Sequence, residues 1–127
     1  MSPPISLKPK WFENFTAYTI AKFGMSMCVI GMSEEYKKYN IAVNALWPKT
    51  AIDTAAIRML GGVVRPEQCR KVDILADASF FILRRDSNKF TGKFYIDEEV
   101  LAEEGIKDLE KYSVKPGEKL FTDLYLD

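Results

Sequence analysis

Histidine is missing from this chain of 127 residues, and cysteine occurs twice, at Cys28 and Cys69. Without an imidazole no Ser–His or Cys–His catalytic group can be assembled. Two thiols and no histidine leave a zinc site short of ligands, so no metal is expected. Such sparse cysteine suits a reducing compartment, with both thiols expected as small buried residues. An excess of one charge is missing too: Lys+Arg and Asp+Glu number 18 each, for a formal net charge of zero. That balance gives no reason to expect nucleic acid or an anionic membrane as partner. No apolar run approaches the length of a membrane span. The opening Met1-Ser2-Pro3-Pro4 has neither a basic n-region nor an apolar h-region, so no secretion signal is expected. There are no repeats and no low-complexity segment.

What is present is an apolar fraction of 47% with 13% aromatics, enough to pack a core and too much for disorder. The length fits one domain or part of one. Three prolines before Lys10 make the start a loop. From about Trp11 to Tyr39 the pattern is helical. Ala17, Ala21, Gly24, Cys28 and Gly31 form a stripe of small residues, while Ile20, Met25, Met27, Val29, Ile30 and Met32 cover much of the rest. A helix apolar nearly all round is expected to be buried on more than one side. Asn40 can cap it. Ile41 to Leu46 is a short apolar run that reads as a buried parallel strand, ended by Trp47-Pro48. Thr54 to Leu60 looks like a short helix, stopped by Gly61-Gly62. Pro66 suits the first position of a second long helix, whose core face is Ile74, Ala78, Phe81 and Ile82, with Arg84-Arg85 in its last turn. A strand follows at Lys93 to Ile96, then an acidic helix from Asp97 to Glu104 with Gly105 as its stop. Residues 106–127 show no period and read as a tail that lies on a surface or is partly mobile, distinct from a domain over 1–105. The order helix, strand, short helix, helix, strand is that of the second half of a doubly wound α/β sheet.

Tyr18 and Lys22 are four residues apart on the first helix, which puts both on one face about one turn apart. An ammonium near a phenol favours the phenolate and equips the pair for acid/base chemistry. With 6 tyrosines and many lysines in the chain, the spacing alone fits two surface residues equally well.

The flanking sequence resolves that choice. Tyr18-Thr19-Ile20-Ala21-Lys22, Ile41 to Pro48, Arg65-Pro66-Glu67 through Ala76-Asp77-Ala78, and Phe90-Thr91-Gly92 to Asp97 follow one another in the order of four blocks of the short-chain dehydrogenases/reductases. The chain resembles the carboxy-terminal half of that family's catalytic domain. The resemblance implies a Rossmann-like, three-layer α/β/α fold, here incomplete. It implies NAD or NADP as cofactor and hydride transfer to or from a carbonyl or secondary alcohol, with a small lipid-like molecule within that range. By resemblance, Tyr18 exchanges a proton with the substrate oxygen, and Lys22 supports Tyr18 and binds the nicotinamide ribose. Ser2 takes the place of the family's substrate-holding serine. It stands 16 residues before Tyr18 where about 13 is usual, and Ser6 is the substitute. Pro48, Thr50 and Ile52 fall where the family lines the nicotinamide; Lys49 replaces the usual glycine, and the threonine spacing, at Thr50 and Thr54, is off by about one. The resemblance further implies a homo-oligomer when complete, and a place in the peroxisome or mitochondrion.

The Gly-rich turn that holds the dinucleotide pyrophosphate in the family has no counterpart here, nor has an Asn-Asn-Ala-Gly-like segment. Two readings follow. The chain is the acid/base half of an oxidoreductase, or it is a catalytically inactive fragment that keeps the fold and its helix-packing interface.

Overall fold

The computed structural model describes residues 1–59 and 61–126. Leu60, assigned above to the short helix, and the terminal Asp127 lie outside the described residues. Among the described residues four α-helices and two strands run in the order α1 (Thr16–Glu35), β1 (Ala45–Trp47), α2 (Ala55–Arg58), α3 (Asp73–Leu83), β2 (Phe94–Ile96) and α4 (Asp97–Glu103). The fold is α/β, and β1 and β2 form a two-stranded parallel sheet. The chain divides into one compact unit of Met1–Trp47 with Arg84–Tyr95, and another of Pro48–Leu83 with Ile96–Leu126. Among the described residues no helix is long and apolar enough to cross a membrane.

In the first unit the long helix is shorter than its apolar pattern suggests. Pro9–Trp11 forms a 3-10 turn, and Asn14 takes a left-handed φ of 65°, a conformation that asparagine tolerates and that interrupts a helix. The α-helical run therefore starts only at Thr16, with the Thr16 hydroxyl donating to Phe12 O at 2.8 Å. At the other end Lys37–Tyr39 is a 3-10 turn, and Asn40 stops it at φ 57°, as a left-handed cap should.

The buried side of α1 consists of Thr19, Phe23, Ser26 and Ser33, at steps of four, three and seven. Three of them are used against a segment laid along the helix, while Ser33 Oγ donates to Ile30 O within α1 at 2.8 Å. The Thr19 hydroxyl donates to Trp11 O, the Phe23 ring meets Phe12 edge-on at 5.8 Å, and Ser26 Oγ donates to Pro3 O at 2.6 Å. The small stripe and the apolar residues around it do not form this buried side. Ala17, Ala21, Cys28 and Gly31 are exposed, and so are Ile20, Met25, Met27, Ile30 and Met32. Cys28 is thus an exposed thiol, whereas Cys69 is buried as expected.

β1 begins at Ala45 rather than at Ile41 because before it side chains interleave with the main-chain bonding, where Gly92 N donates to Val43 O at 2.8 Å. Val43 N donates to Thr91 Oγ1 at 3.0 Å. The Asn44 amide donates to Phe90 O at 2.8 Å and accepts from Lys93 N at 2.9 Å. Regular pairing follows, with Ala45 N donating to Lys93 O at 2.8 Å.

In the second unit the helix expected from Pro66 is broken. Pro66–Gln68 is a 3-10 turn with the proline at its first position, and Cys69 is extended. The break has a cause: Arg70 N donates to Ala51 O at 2.9 Å and Lys71 N to Tyr112 O at 2.6 Å, so these groups bond sideways and are withdrawn from a helix. α3 resumes at Asp73 and ends at Leu83, so Arg84 and Arg85 lie just beyond it. α3 packs on α4 through Ile74, Ala78, Val100 and Leu101, none more than 1% exposed; each large one contributes about 1.5–3 kcal/mol. Residues 106–126, featureless in sequence, are built into this unit. Tyr112 and Tyr125 are buried, and the Tyr112 hydroxyl donates to Asp77 Oδ2 at 2.6 Å.

Candidate functional site

The first unit holds Ser2, Tyr18 and Lys22. Tyr18 and Lys22 stand one turn apart on α1, where the Lys22 ammonium lies 5.5 Å from the centre of the Tyr18 ring and 5.5 Å from that of Trp47, which ends β1. Both distances are within cation–π range. Among the described residues Lys22 forms no ion pair, so its charge is directed at two aromatic rings and is not neutralised by a carboxylate. The Tyr18 side chain is 46% exposed, and Lys22 is half-buried.

Ser2 is buried, at 3% exposure. The bond from Ser26 to Pro3 O ties its segment to α1 one turn beyond Lys22, and 18, 22 and 26 follow each other at four-residue steps on one side of the helix. Ser6 is half-buried, and its hydroxyl accepts from Lys8 N at 3.5 Å, a weak turn contact.

The second unit holds Pro48, Thr50 and Ile52, all buried. They lie on an extended segment held from three directions. Thr50 pairs with Thr122 in an antiparallel bridge and Ile52 with Arg70 in a parallel one. Ala51 N donates to Phe121 O at 2.8 Å, Asp123 N to Lys49 O at 3.1 Å, and Asp53 N to Arg70 O at 2.9 Å. Lys49 N donates to Asp97 Oδ1 at 2.8 Å. Ala51 fixes the middle of the segment in a cluster with Val64 and Cys69. These bonds leave out the N–H groups of Thr50 and Ile52, and Thr50 Oγ1 is buried with no hydrogen-bond partner in the protein. A buried hydroxyl without a partner costs about 1–3 kcal/mol. A group with a hydrogen-bonding edge, such as a carboxamide, would satisfy it.

Asp97 is fully buried. Its Oδ1 accepts from Lys49 N and from Glu98 N at 2.7 Å, while Oδ2 has no partner. Burial pushes this carboxyl up to about 6, against the pull of the two N–H donors; the Glu98 charge adds to the rise and Arg70 opposes it. Arg70 is itself buried, with Nε donating to Glu98 Oε1 at 2.9 Å and Nη1 to Leu109 O at 2.8 Å. Neither Asp97 nor the Phe121–Asp123 segment stands out in the sequence as part of a site. The available signals were an aspartate directly after a strand and a β-forming Leu120-Phe121-Thr122 run.

No protein-family model matches the chain. Two solved structures align over all of it. One, from Xanthomonas campestris and assigned as a dehydrogenase, shares 46% identity at a TM-score of 0.94, with 46% of its own chain covered. The other, a short-chain dehydrogenase from Mycobacterium thermoresistibile, shares 42% identity at a TM-score of 0.88, with 45% covered. Over its full length the chain is thus similar to part of a short-chain dehydrogenase. Among curated proteins it is similar over its full length to hydroxysteroid dehydrogenase-like protein 2, at 61% identity to that of Xenopus laevis, 59% to that of Danio rerio and 58% to that of Homo sapiens. It spans about 30% of the length of each of these relatives.

Proposed function

We propose that this chain supplies the proton-transfer and nicotinamide-facing part of a short-chain dehydrogenase/reductase site, serving NAD- or NADP-dependent oxidoreduction of a carbonyl or secondary alcohol of lipid-like character. The observation that carries this reading is the Tyr18–Lys22 pair, one turn apart on α1 with an un-neutralised ammonium 5.5 Å from the phenol ring. The nicotinamide cofactor, when bound, supplies or accepts the hydride. In the reducing direction the Tyr18 hydroxyl gives its proton to the substrate oxygen and is left as phenolate; in the oxidising direction the phenolate takes that proton back. The Lys22 charge stabilises the phenolate in both directions. Ser2, on the segment tied to α1 through Pro3, is the hydroxyl that orients the substrate oxygen, in preference to Ser6. The unpartnered Thr50 hydroxyl and the N–H groups of Thr50 and Ile52 suit the carboxamide edge of a nicotinamide, with Pro48 setting the start of the segment. We further propose that the complete protein is a homo-oligomer and acts in the peroxisome or mitochondrion.

A second reading, a chain without activity, is favoured by one observation: the apolar residues of α1 around its small-residue stripe are exposed, so the helix carries faces made to be covered. One experiment separates the two. Purified full-length gene product is titrated with NADH and NADPH, and turnover is followed with a series of aliphatic ketones and secondary alcohols. Saturable binding of one dinucleotide together with turnover supports the enzyme. Absence of both, in a cooperatively folded preparation, supports the inactive reading.

A further inference from the structure

The extended segment Lys49–Asp53 is held by Arg70 and Asp97, which lie within the blocks that resemble the family, and by Phe121–Asp123, which lies outside them near the end of the chain. Four of its backbone groups are bonded by Arg70 and by Phe121–Asp123, two on each side. A fifth, Lys49 N, is bonded by the buried Asp97 carboxylate. The two clamps are joined to each other by Phe121 N, which donates to Gln68 O at 2.9 Å, and Arg70 is itself held by an antiparallel bridge to Ser113. Tyr125, just beyond the clamp, is buried and anchors it. What this scaffold leaves unbonded is the N–H groups of Thr50 and Ile52 and the buried Thr50 hydroxyl. A short segment between ladders has few conformations available, and its remaining donors are held ready for a ligand.

We infer that Asp97 and the Phe121–Asp123 segment are positioning elements, which fix the Lys49–Asp53 backbone so that the Thr50 and Ile52 donors meet the nicotinamide end of the cofactor. The inference rests on the oxidoreductase reading above. It adds that cofactor affinity depends on a carboxylate and a carboxy-terminal segment that need not touch the cofactor.

The test uses full-length gene product and three variants. Asp123→Pro removes the N–H that bonds Lys49 O. Asp97→Ala removes the acceptor for Lys49 N, and Asp97→Asn restores an acceptor oxygen. Two quantities are read: hydrogen exchange at the amides of residues 49–53, and the dissociation constant for NADH or NADPH. Asp123→Pro and Asp97→Ala should speed exchange at residues 49–53 more than at α3 or α4. Each should weaken dinucleotide binding about tenfold, the equivalent of one lost hydrogen bond of roughly 1.4 kcal/mol, with kcat at saturating cofactor nearly unchanged. Asp97→Asn should recover most of both losses. Unchanged exchange at residues 49–53 in both disruptive variants overturns the positioning role whatever the activity. Faster exchange with unchanged dinucleotide affinity overturns the link to the cofactor. If the wild-type protein binds neither dinucleotide, the oxidoreductase reading fails and the cofactor link fails with it, while exchange still decides whether the clamps hold the segment.

Discussion

At the scale of single residues, Asp97 shows how burial and hydrogen bonding compete for one carboxyl. Desolvation raises its pKa from the ordinary 3.8 to about 6 despite two N–H donors. The folded protein therefore binds a proton here, between those two values, that the unfolded chain has released. Stability contributed by this group is greatest below about pH 4 and is lost as pH rises to 6, by about 1.4 kcal/mol for each unit of the gap. Asp97→Asn keeps the acceptor oxygen and removes the charge. It should raise the melting temperature at pH 7 and leave it nearly unchanged at pH 4, where the carboxyl is already neutral. Equal shifts at both values, read by thermal denaturation, would show that the charge is not the cause. Asp97 was legible in the sequence only as the end of a block and the start of an acidic helix, because its bond from Lys49 N joins positions far apart in the chain. Tyr18 and Lys22 were legible because their relation is local, a single helical turn.

Elements show the same division. α1, α2, α3 and both strands were visible as patterns, since each rests on local periodicity and on punctuation by Asn40, the Gly61-Gly62 pair and Gly105. The starts of α1, β1 and α3 were not. The break at Cys69–Lys71 comes from bonds to Ala51 and Tyr112, which no window along the chain can reveal. The late start of β1 comes from the Asn44 and Thr91 side chains. The turn entering β2 offers a direct check on this packing. Gly92 has φ 70°, and a Cβ there would lie 3.0 Å from Ser33 Oγ on α1. Gly92→Ala should cost about 1–2 kcal/mol for the left-handed backbone alone. It should cost more if Ser33 must give up its 2.8 Å bond to Ile30 O. A urea midpoint equal to that of the wild type would show that the turn is not held against α1 as described.

For the molecule as a whole, the apolar pattern of α1 reads as a helix to be covered within a larger domain or by a second subunit, and in this chain that cover is not present on its apolar residues. Ile20, Met27 and Ile30 are each at least half exposed in the 127-residue chain. A helix so built is expected to be covered by other protein. On its own the chain should self-associate, and sedimentation should give masses above 14.5 kDa. The complete protein should sediment as a defined homo-oligomer. A monodisperse monomer in both preparations at micromolar concentration would contradict the proposed assembly. The measurement that bears most directly on the central claim is turnover by Tyr18→Phe in the full-length gene product, on a substrate the wild type is shown to use. The variant keeps the ring beside Lys22 and loses only the proton donor. Positioned acid/base catalysis is worth about 10²–10⁴-fold, so kcat should fall by at least about 10²-fold, with dinucleotide affinity within about threefold of wild type. Turnover close to that of the wild type would remove Tyr18 from the chemistry and contradict the account.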